Sequence, residues 1–136
     1  MASRFARFLR KHSCVLLLLT LVTPVGFLTK AYGGPGAGWV QNSLGGVLYV
    51  IFWTLLFSLP FHRSKPWKVA LPVLFVTCAL EALQLWHPPL LEAVRGTFLG
   101  HALLGNTFSW SDMLHYLGGF LVSLILLHIC RRNGRH

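Results

Sequence analysis

The chain has three acidic side chains, Glu81, Glu92 and Asp112, and one of them lies inside a strongly apolar run. Glu81 stands in "VTCALEALQLW", residues 76–86. An isolated ionised carboxylate in such surroundings is very costly unless it is paired, hydrogen-bonded or neutralised. Ionisable residues within membrane segments are candidates for function by default. Glu81 is therefore a structural group with satisfied hydrogen bonds, a binding group or a general base.

Other polar residues are predicted to meet Glu81 and to form a pocket with it. Gln84 follows three residues later and shares its helix face. Arg95 is the basic residue of the connection 87–111, and Asp112 begins the last apolar run, one turn before Tyr116. In this pocket Arg95 would meet an anion, while Glu81, Gln84 and Asp112 would set the orientation of that ligand. We also expect hydrogen bonds from Gln84 or another helix, and the charge of Arg95, to keep Glu81 in the membrane.

A structural alternative stays open for each of these residues. Glu81 could hydrogen-bond across helices as structural glue. Arg95 could pair with Glu92 at i, i+3 on its own helix. Asp112 follows Ser109 by three residues, which is typical of a capping box at a helix start. The spacing of the polar residues does not decide between these alternatives and a binding site.

Four apolar runs must position these side chains. The charged fraction is 11%, the hydrophobic fraction is 54% and the mean hydropathy is +0.61. Soluble domains carry roughly a quarter charged residues, so the composition indicates a membrane protein. Runs of this length satisfy their backbone in lipid only as helices. The prediction is a single transmembrane domain, residues 1–136, with spans at about 14–29, 44–61, 69–86 and 112–130.

The basic residues predict the orientation of these spans. Of the twelve Lys and Arg residues, all but Lys30 and Arg95 flank the spans on one side. This positive-inside pattern places both termini in the cytoplasm. It also explains the net charge of +9 without nucleic acid, for which no recognisable motif is present. A cleaved signal peptide over residues 1–29 is the alternative for the first run.

The connection between spans three and four is long and apolar for a loop. Leu91, Val94 and Phe98 recur at helical spacing, and Pro89 suits the first turn of a helix. We expect a helix over about 89–104 that lies at the outer membrane interface, followed by a turn at residues 105–106.

Small residues, cysteines and histidines have structural interpretations. The glycines expected to permit close helix packing are Gly45, Gly46, Gly96, Gly100, Gly118 and Gly119. The cysteines, at 14, 78 and 130, are interpreted as small apolar residues rather than a disulfide framework. His87, His101 and His115 lack the spacing of a zinc site, and no catalytic motif occurs. We therefore expect no metal, no cofactor and no catalytic residue that spacing alone can name.

Longer segments resemble a known family. The runs "TKAYGGPGAGWVQNSLGGVLYVIFW", "TCALEALQLWHPPLLEAVRGTFLGHALLGNTFSWSD" and "HYLGG" closely resemble the bacterial membrane-protein family called domain of unknown function 2809. The resemblance covers roughly residues 29–120 and implies a small multi-span protein of the bacterial inner membrane. More remotely, the order "ExxQ … R … D … G" is similar to that of VanZ-like proteins, which are associated with tolerance to glycopeptide antibiotics. Tyr116 stands where those proteins carry Asn.

The predicted fold is all-α, an integral membrane four-helix transmembrane bundle with an extra interfacial helix between spans three and four. The first functional hypothesis is a module that binds or handles an envelope lipid or lipid-linked precursor in an outer-leaflet pocket. The alternatives are an intramembrane enzyme with Glu81 or Asp112 as general base, and a structural or assembly protein without a ligand. The expected partners are the lipid bilayer, such a lipid and, as an open alternative, a second copy in a homo-oligomer.

Overall fold

Long apolar runs give this chain a helical structure, which a computed structural model describes over residues 1–100 and 110–133. These residues contain no β-strand. A single π-helical turn, Val40–Leu44, interrupts the helical order. The α-helices are α1 (Ala2–Lys11), α2 (Ser13–Ala31), α3 (Ala37–Trp39), α4 (Gly45–Ser58), α5 (Pro66–Leu83), α6 (Pro89–Arg95) and α7 (Trp110–Asn133).

Four helical segments are long and apolar enough to cross a membrane, which confirms the predicted fold class. They are α2, the continuous segment Ala37–Ser58, α5 and α7. The second segment begins at Ala37 rather than near residue 44, because α3 and the π-helical turn extend α4 toward its N-terminus. Proline at the first turn of α5 and of α6 suits these helix starts, since its missing N–H group has no partner there anyway.

Helix α4 lies at the centre of the bundle and packs against α2, α5 and α7, while α5 also packs against α7. The interior holds Val50, Leu55 and Leu127, which are almost fully buried. Phe75 and Ile125 are exposed large apolar side chains on the outside of the bundle. Apolar residues on the outside as well as the inside are what a helix bundle surrounded by lipid requires.

The first helix is separate from the first span. Helix α1 carries Arg4, Arg7 and Lys11 on one face and Phe5 and Leu9 on the other, an arrangement typical of a helix at a membrane surface. His12 then interrupts the helix, with φ −106° and ψ 13°. Its ring is buried, and Nδ1 donates a hydrogen bond to the carbonyl of Phe8 at 2.9 Å. His12 therefore turns the chain from α1 into α2.

The cysteine prediction is wrong for two of the three residues. Cys14 and Cys130 form a disulfide with their Cα atoms 5.5 Å apart. Cys14 lies in the first turn of α2 and Cys130 near the end of α7, so the antiparallel course of the helices brings them to the same level. Their separation of 116 residues hides this proximity in the sequence. Cys78, half-buried on α5, is a free thiol.

The connection between α5 and α7 departs from the predicted continuous helix. Helix α6 begins at Pro89 as predicted, but it ends at Arg95. Thr97 explains the break, since its Oγ1 accepts a hydrogen bond from the N–H of Gly100 at 3.0 Å. This is the geometry of an N-cap, and residues 98–100 are helical again. The rest of the predicted helix, to residue 104, and the turn at 105–106 lie outside the described residues.

Candidate functional site

Glu81 is almost fully buried and holds two hydrogen bonds from neighbouring side chains. Its exposed fraction is 1%. Oε2 accepts a hydrogen bond from the hydroxyl of Tyr116 at 2.6 Å and another from Nε2 of Gln84 at 3.2 Å. Gln84 lies one turn beyond Glu81, whereas Tyr116 comes from α7. Glu81, which stands in an apolar run of the sequence, thus joins α5 to α7.

A second group of polar side chains surrounds Asp112 in the first turn of α7. Asp112 is buried, and the Ser43 hydroxyl lies within hydrogen-bonding reach of its carboxylate. Ser43 belongs to the π-helical turn, and such turns often occur at functional positions. Lys30, in the last turn of α2, lies near enough for the charges of Asp112 and Glu81 to act on its ammonium group.

The two groups form one cluster, which we call the polar end of the bundle and define by Lys30, Ser43, Glu81, Asp112 and Tyr116. Its members come from α2, the π-helical turn, α5 and α7. The cluster combines one cation, two carboxyl groups and two hydroxyl groups. Chemically, it can accept hydrogen bonds from hydroxyl or amine groups, hold an anion at the ammonium group and share a proton between a phenol and a carboxylate.

Glycines on α4 and α7 allow the helices that carry the cluster to approach closely. A Cβ atom added to Gly46 would lie 2.6 Å from Cε1 of Tyr116, and one added to Gly119 would lie 2.8 Å from the carbonyl oxygen of Val47. A Cβ atom on Gly45 would lie 3.2 Å from Oγ1 of Thr29 and 3.4 Å from Cε of Lys30. Gly45, Gly46 and Gly119 therefore lie where the predicted close packing occurs.

The other predicted packing glycines lie in different surroundings. Among the described residues, nothing lies within 4 Å of a Cβ atom added to Gly118. The nearest atoms to one on Gly96 are carbonyl oxygens of its own helix, those of Ala93 and Glu92. One on Gly100 would collide with the carbonyl of Val94 in the preceding turn. Gly100 thus serves the break after α6 rather than a helix–helix contact.

Arg95 has partners other than the predicted Glu81. Its exposed fraction is 4%. Nη1 donates to the carboxylate of Glu92 at 2.8 Å and to the carbonyl of Trp86 at 3.0 Å, and Nη2 donates to the carbonyl of Leu83 at 3.1 Å. These carbonyls come at and after the C-terminus of α5, where backbone acceptors lack helical partners. Arg95 therefore fastens α6 to the end of α5, which is the structural alternative weighed above.

Histidines near α6 and α7 take part in local hydrogen bonds. Nδ1 of His87 lies 2.7 Å from Oε1 of Glu92, and Nδ1 of His115 donates to the carbonyl of Ser111 at 2.7 Å. The hydrogen bond from His87, and after it the one from Arg95, lowers the pKa of the Glu92 carboxyl group. Glu92 thus joins His87, at the start of the connection between α5 and α7, to helix α6. His101 lies outside the described residues.

Lys30 and Ser43 belong to the polar end but were not among the predicted site residues. The sequence did contain a signal for Lys30, because it shares with Arg95 the side of the membrane that is poor in basic residues. Arg95 was nearer to Glu81 along the chain and took the role of counter-ion in the prediction. Ser43 carried no comparable signal, since its approach to Asp112 depends on the π-helical turn.

Comparison with known proteins assigns the chain to a family. No curated protein and no solved structure matches it significantly. One family model, described as "Protein of unknown function (DUF2809)", matches residues 36–120. The match extends from the start of the second membrane segment to the first half of α7, and it contains all of the polar end except Lys30. The chain therefore belongs to the DUF2809 family.

Proposed function

We propose that the chain binds the head group of an envelope lipid or a lipid-linked precursor at the polar end of the bundle. The observation that carries this proposal is the convergence of Lys30, Glu81 and Asp112, charged residues from three different helices. Removing charged groups from water is costly, and apolar residues of the same size often stabilise a protein as well. A set of charges within the membrane segments therefore favours a role in recognition over one in stability.

The chemistry of the polar end suits a head group with both anionic and hydrogen-donating parts. The ammonium group of Lys30 is matched to a phosphate, and the carboxylates of Glu81 and Asp112 are matched to hydroxyl or amine groups. Tyr116 and Gln84 hold the Glu81 carboxylate in one orientation. A fixed orientation lowers the entropy that binding would otherwise cost.

An apolar cavity beside Lys30 supports a ligand with a lipid tail. It lies between α2 and α4, has a volume of about 210 Å³ and is lined by Val22, Phe27, Tyr49 and Trp53, among others. Lys30 is its charged wall residue. An apolar channel with one ammonium group has the polarity that an acyl or prenyl chain bearing a phosphate would need.

We further propose that the polar end faces the outside of a bacterial inner membrane, with both termini in the cytoplasm. All Lys and Arg residues except Lys30 and Arg95 flank the opposite ends of the spans. The positive-inside rule then gives this orientation. A lipid bound at Lys30 would come from the outer leaflet.

The experiment is a comparison of the lipids that copurify with the protein in mild detergent. Wild type, Lys30→Gln, Asp112→Asn and Lys65→Gln are purified in parallel, and bound lipids are identified by mass spectrometry. We expect one lipid class to be enriched with wild type and with Lys65→Gln. Lys65→Gln removes the same positive charge as Lys30→Gln, but from an exposed position. Both polar-end variants should lose it. Equal lipid profiles in all four folded proteins would reject the proposal.

A second candidate is an intramembrane enzyme in which Glu81 is the general base. The observation that favours it is the short hydrogen bond between the Tyr116 hydroxyl and Glu81, because such a pair can accept and pass on a proton. Glu81→Gln keeps the shape of the side chain but removes the acid. In whole-cell lipid profiles, an enzyme should show the same change for Glu81→Gln as for the gene deletion. A structural role should tolerate Glu81→Gln and should fail on Glu81→Leu.

A further inference from the structure

A second cavity lies at the other end of the bundle and is unusually rich in basic groups. Its volume is about 380 Å³, and it is bounded by the start of α2, the loop after α4 and the end of α7. Lys11, His12, His62, Arg63 and Arg131 contribute to its wall. We call this cavity the basic pocket. It is separate from the polar end, which has none of its lining residues.

No acidic side chain balances the charge of the basic pocket. The acidic residues are Glu81, Glu92 and Asp112. The first and last belong to the polar end, and Glu92 is paired with His87 and Arg95. Lys11, Arg63 and Arg131 therefore bring positive charge together without an Asp or Glu side chain beside them in the described part of the chain. Like charges held close together destabilise a fold unless an anion neutralises them.

Two buried polar atoms in the pocket have no hydrogen-bond partner among the described residues. His12 is 6% exposed, and its Nδ1 already donates to the carbonyl of Phe8. A carbonyl only accepts, so Nδ1 carries the proton and Nε2 is left, buried and unpartnered. Arg131 donates from Nη1 to the carbonyl of Ser64, and its buried Nη2 is also unpartnered. Stranded buried polar groups are costly, which points to a missing partner.

We propose that the basic pocket binds a phosphate group. A phosphate oxyanion accepts several hydrogen bonds at once, and Nη2 of Arg131 would supply a charge-assisted donor. In the tautomer that donates to Phe8, Nε2 of His12 would accept a hydrogen bond from a phosphate hydroxyl. Lys11 and Arg63 would add positive charge around it. The volume of the pocket exceeds that of a bare phosphate and leaves room for one substituent. The phosphate belongs either to an anionic lipid head group or to a free phosphate compound, since both present the same oxyanion.

The disulfide gives the pocket a fixed frame. Cys14 and Cys130 both line it, and their bond joins the start of α2 to the end of α7. His12 and Arg131 are the neighbours of these cysteines, at two residues and one residue along the chain. In the disulfide form, their unpartnered atoms are thus held by elements that are covalently joined. Such preorganised donors bind an anion more tightly than basic side chains on a mobile surface.

The test compares paired charge removals inside and outside the pocket. The double variant Lys11→Gln with Arg63→Gln removes pocket charges. The control, Arg10→Gln with Lys65→Gln, removes the same number of charges at positions one and two residues away along the chain. These side chains are exposed and do not line the pocket. Purified proteins in neutral detergent are titrated with inorganic phosphate, with short-chain phosphatidic acid and with short-chain phosphatidylcholine. Binding is measured by calorimetry and by the rise in melting temperature.

We expect wild type and the control to bind a phosphate ligand with similar affinity, and the pocket variant to bind at least about tenfold more weakly. Tighter binding of phosphatidic acid than of inorganic phosphate would identify a lipid head group. Equal binding of the two would identify the phosphate group alone. Equal weakening in the pocket variant and the control would overturn the proposal, because it would mean unspecific attraction to a basic surface. Absence of binding of both phosphate ligands by wild type would overturn it as well.

Discussion

The hydroxyl of Tyr116 donates a 2.6 Å hydrogen bond to Oε2 of Glu81, and this contact joins α5 to α7 across 35 residues of sequence. Both side chains are buried. The bond accounts for part of what keeps a carboxyl group inside the bundle, and Gln84 adds a second donor to the same oxygen. Because Tyr116 also packs on Gly46, the orientation of Glu81 depends on how closely α4 and α7 approach each other.

We expect Tyr116→Phe to destabilise the protein by about 1–2 kcal/mol, the range for a hydrogen bond in a membrane protein or to a charged acceptor. The substitution removes the donor and keeps the ring on Gly46. Unfolding in mixed micelles is the measurement, with Tyr32→Phe as control because the hydroxyl of Tyr32 bonds an exposed carbonyl. If Tyr116→Phe costs the same in a Glu81→Leu background as in wild type, the two side chains do not interact.

Neighbouring glycines on α7 provide a matched test of helix packing. Gly119→Ala should destabilise the fold by about 1–3 kcal/mol, because its Cβ would lie 2.8 Å from the backbone oxygen of Val47, where no side chain can move aside. Gly118→Ala should be neutral or stabilising by up to about 1 kcal/mol, since alanine is the better helix former and no described atom lies within 4 Å. Thermal unfolding in detergent measures both. Equal effects would mean that α4 and α7 do not meet at Gly119.

Much of the fold follows from the sequence, since spans of apolar residues in lipid have only helices available to them. The burial of Glu81 beside Gln84 could be predicted as well, because both lie on one helix. Contacts between segments that are far apart in the sequence could not be predicted. The choice of Glu92 over Glu81 as partner of Arg95, and the Cys14–Cys130 bond, depend on how the helices are placed side by side. Helical periodicity carries no information about that placement.

The contacts of Arg95 lead to an expectation for a double-mutant cycle of protein stability. Arg95→Leu should destabilise the protein by about 2–4 kcal/mol, because the carbonyl of Trp86 and the carboxylate of Glu92 each lose a donor, and the carbonyl of Leu83 keeps only the N–H of Trp86. Its effect should add to that of Glu81→Leu within about 0.5 kcal/mol, as expected for residues that share no partner in the described part of the chain. It should not add to the effect of Glu92→Gln. Strong coupling between Arg95 and Glu81 would mean that Arg95 acts on Glu81 rather than on the end of α5 alone.

The pH dependence of stability should contain a contribution from Glu92. Hydrogen bonds from His87 and then Arg95 lower the pKa of Glu92 in the folded protein, relative to an ordinary value of 4.5. A lowered folded pKa means that the stabilisation is complete above the ordinary value and is lost as the pH falls through the folded one. We therefore expect wild type to melt above Glu92→Gln at about pH 6 and the difference to shrink toward about pH 3. A difference that stays constant would exclude this ionisation as its source.

The disulfide and the basic residues lie at the same end of the bundle, but they indicate different compartments for that end. The positive-inside rule places Cys14 and Cys130 at the cytoplasmic face, where thiols are kept reduced. A lasting disulfide belongs to an oxidising compartment. The charge pattern recurs at both termini and at the connection between α4 and α5, so we propose that this end of the bundle faces the cytoplasm. The pair should then exist as thiols in growing cells and close under oxidation.

Two measurements on intact cells decide the matter. The first traps thiols with a membrane-permeant alkylating reagent before lysis, in a Cys78→Ala background that leaves only the pair. Untreated cells should yield two alkylated cysteines, and cells exposed to a thiol oxidant should yield the Cys14–Cys130 bond, seen as faster migration on a non-reducing gel. The second places topology reporters at residue 35, at residue 65 and after the C-terminus. A complete disulfide in untreated cells, together with a periplasmic reporter active at residue 65, would reverse the orientation and expose the basic pocket to the outside.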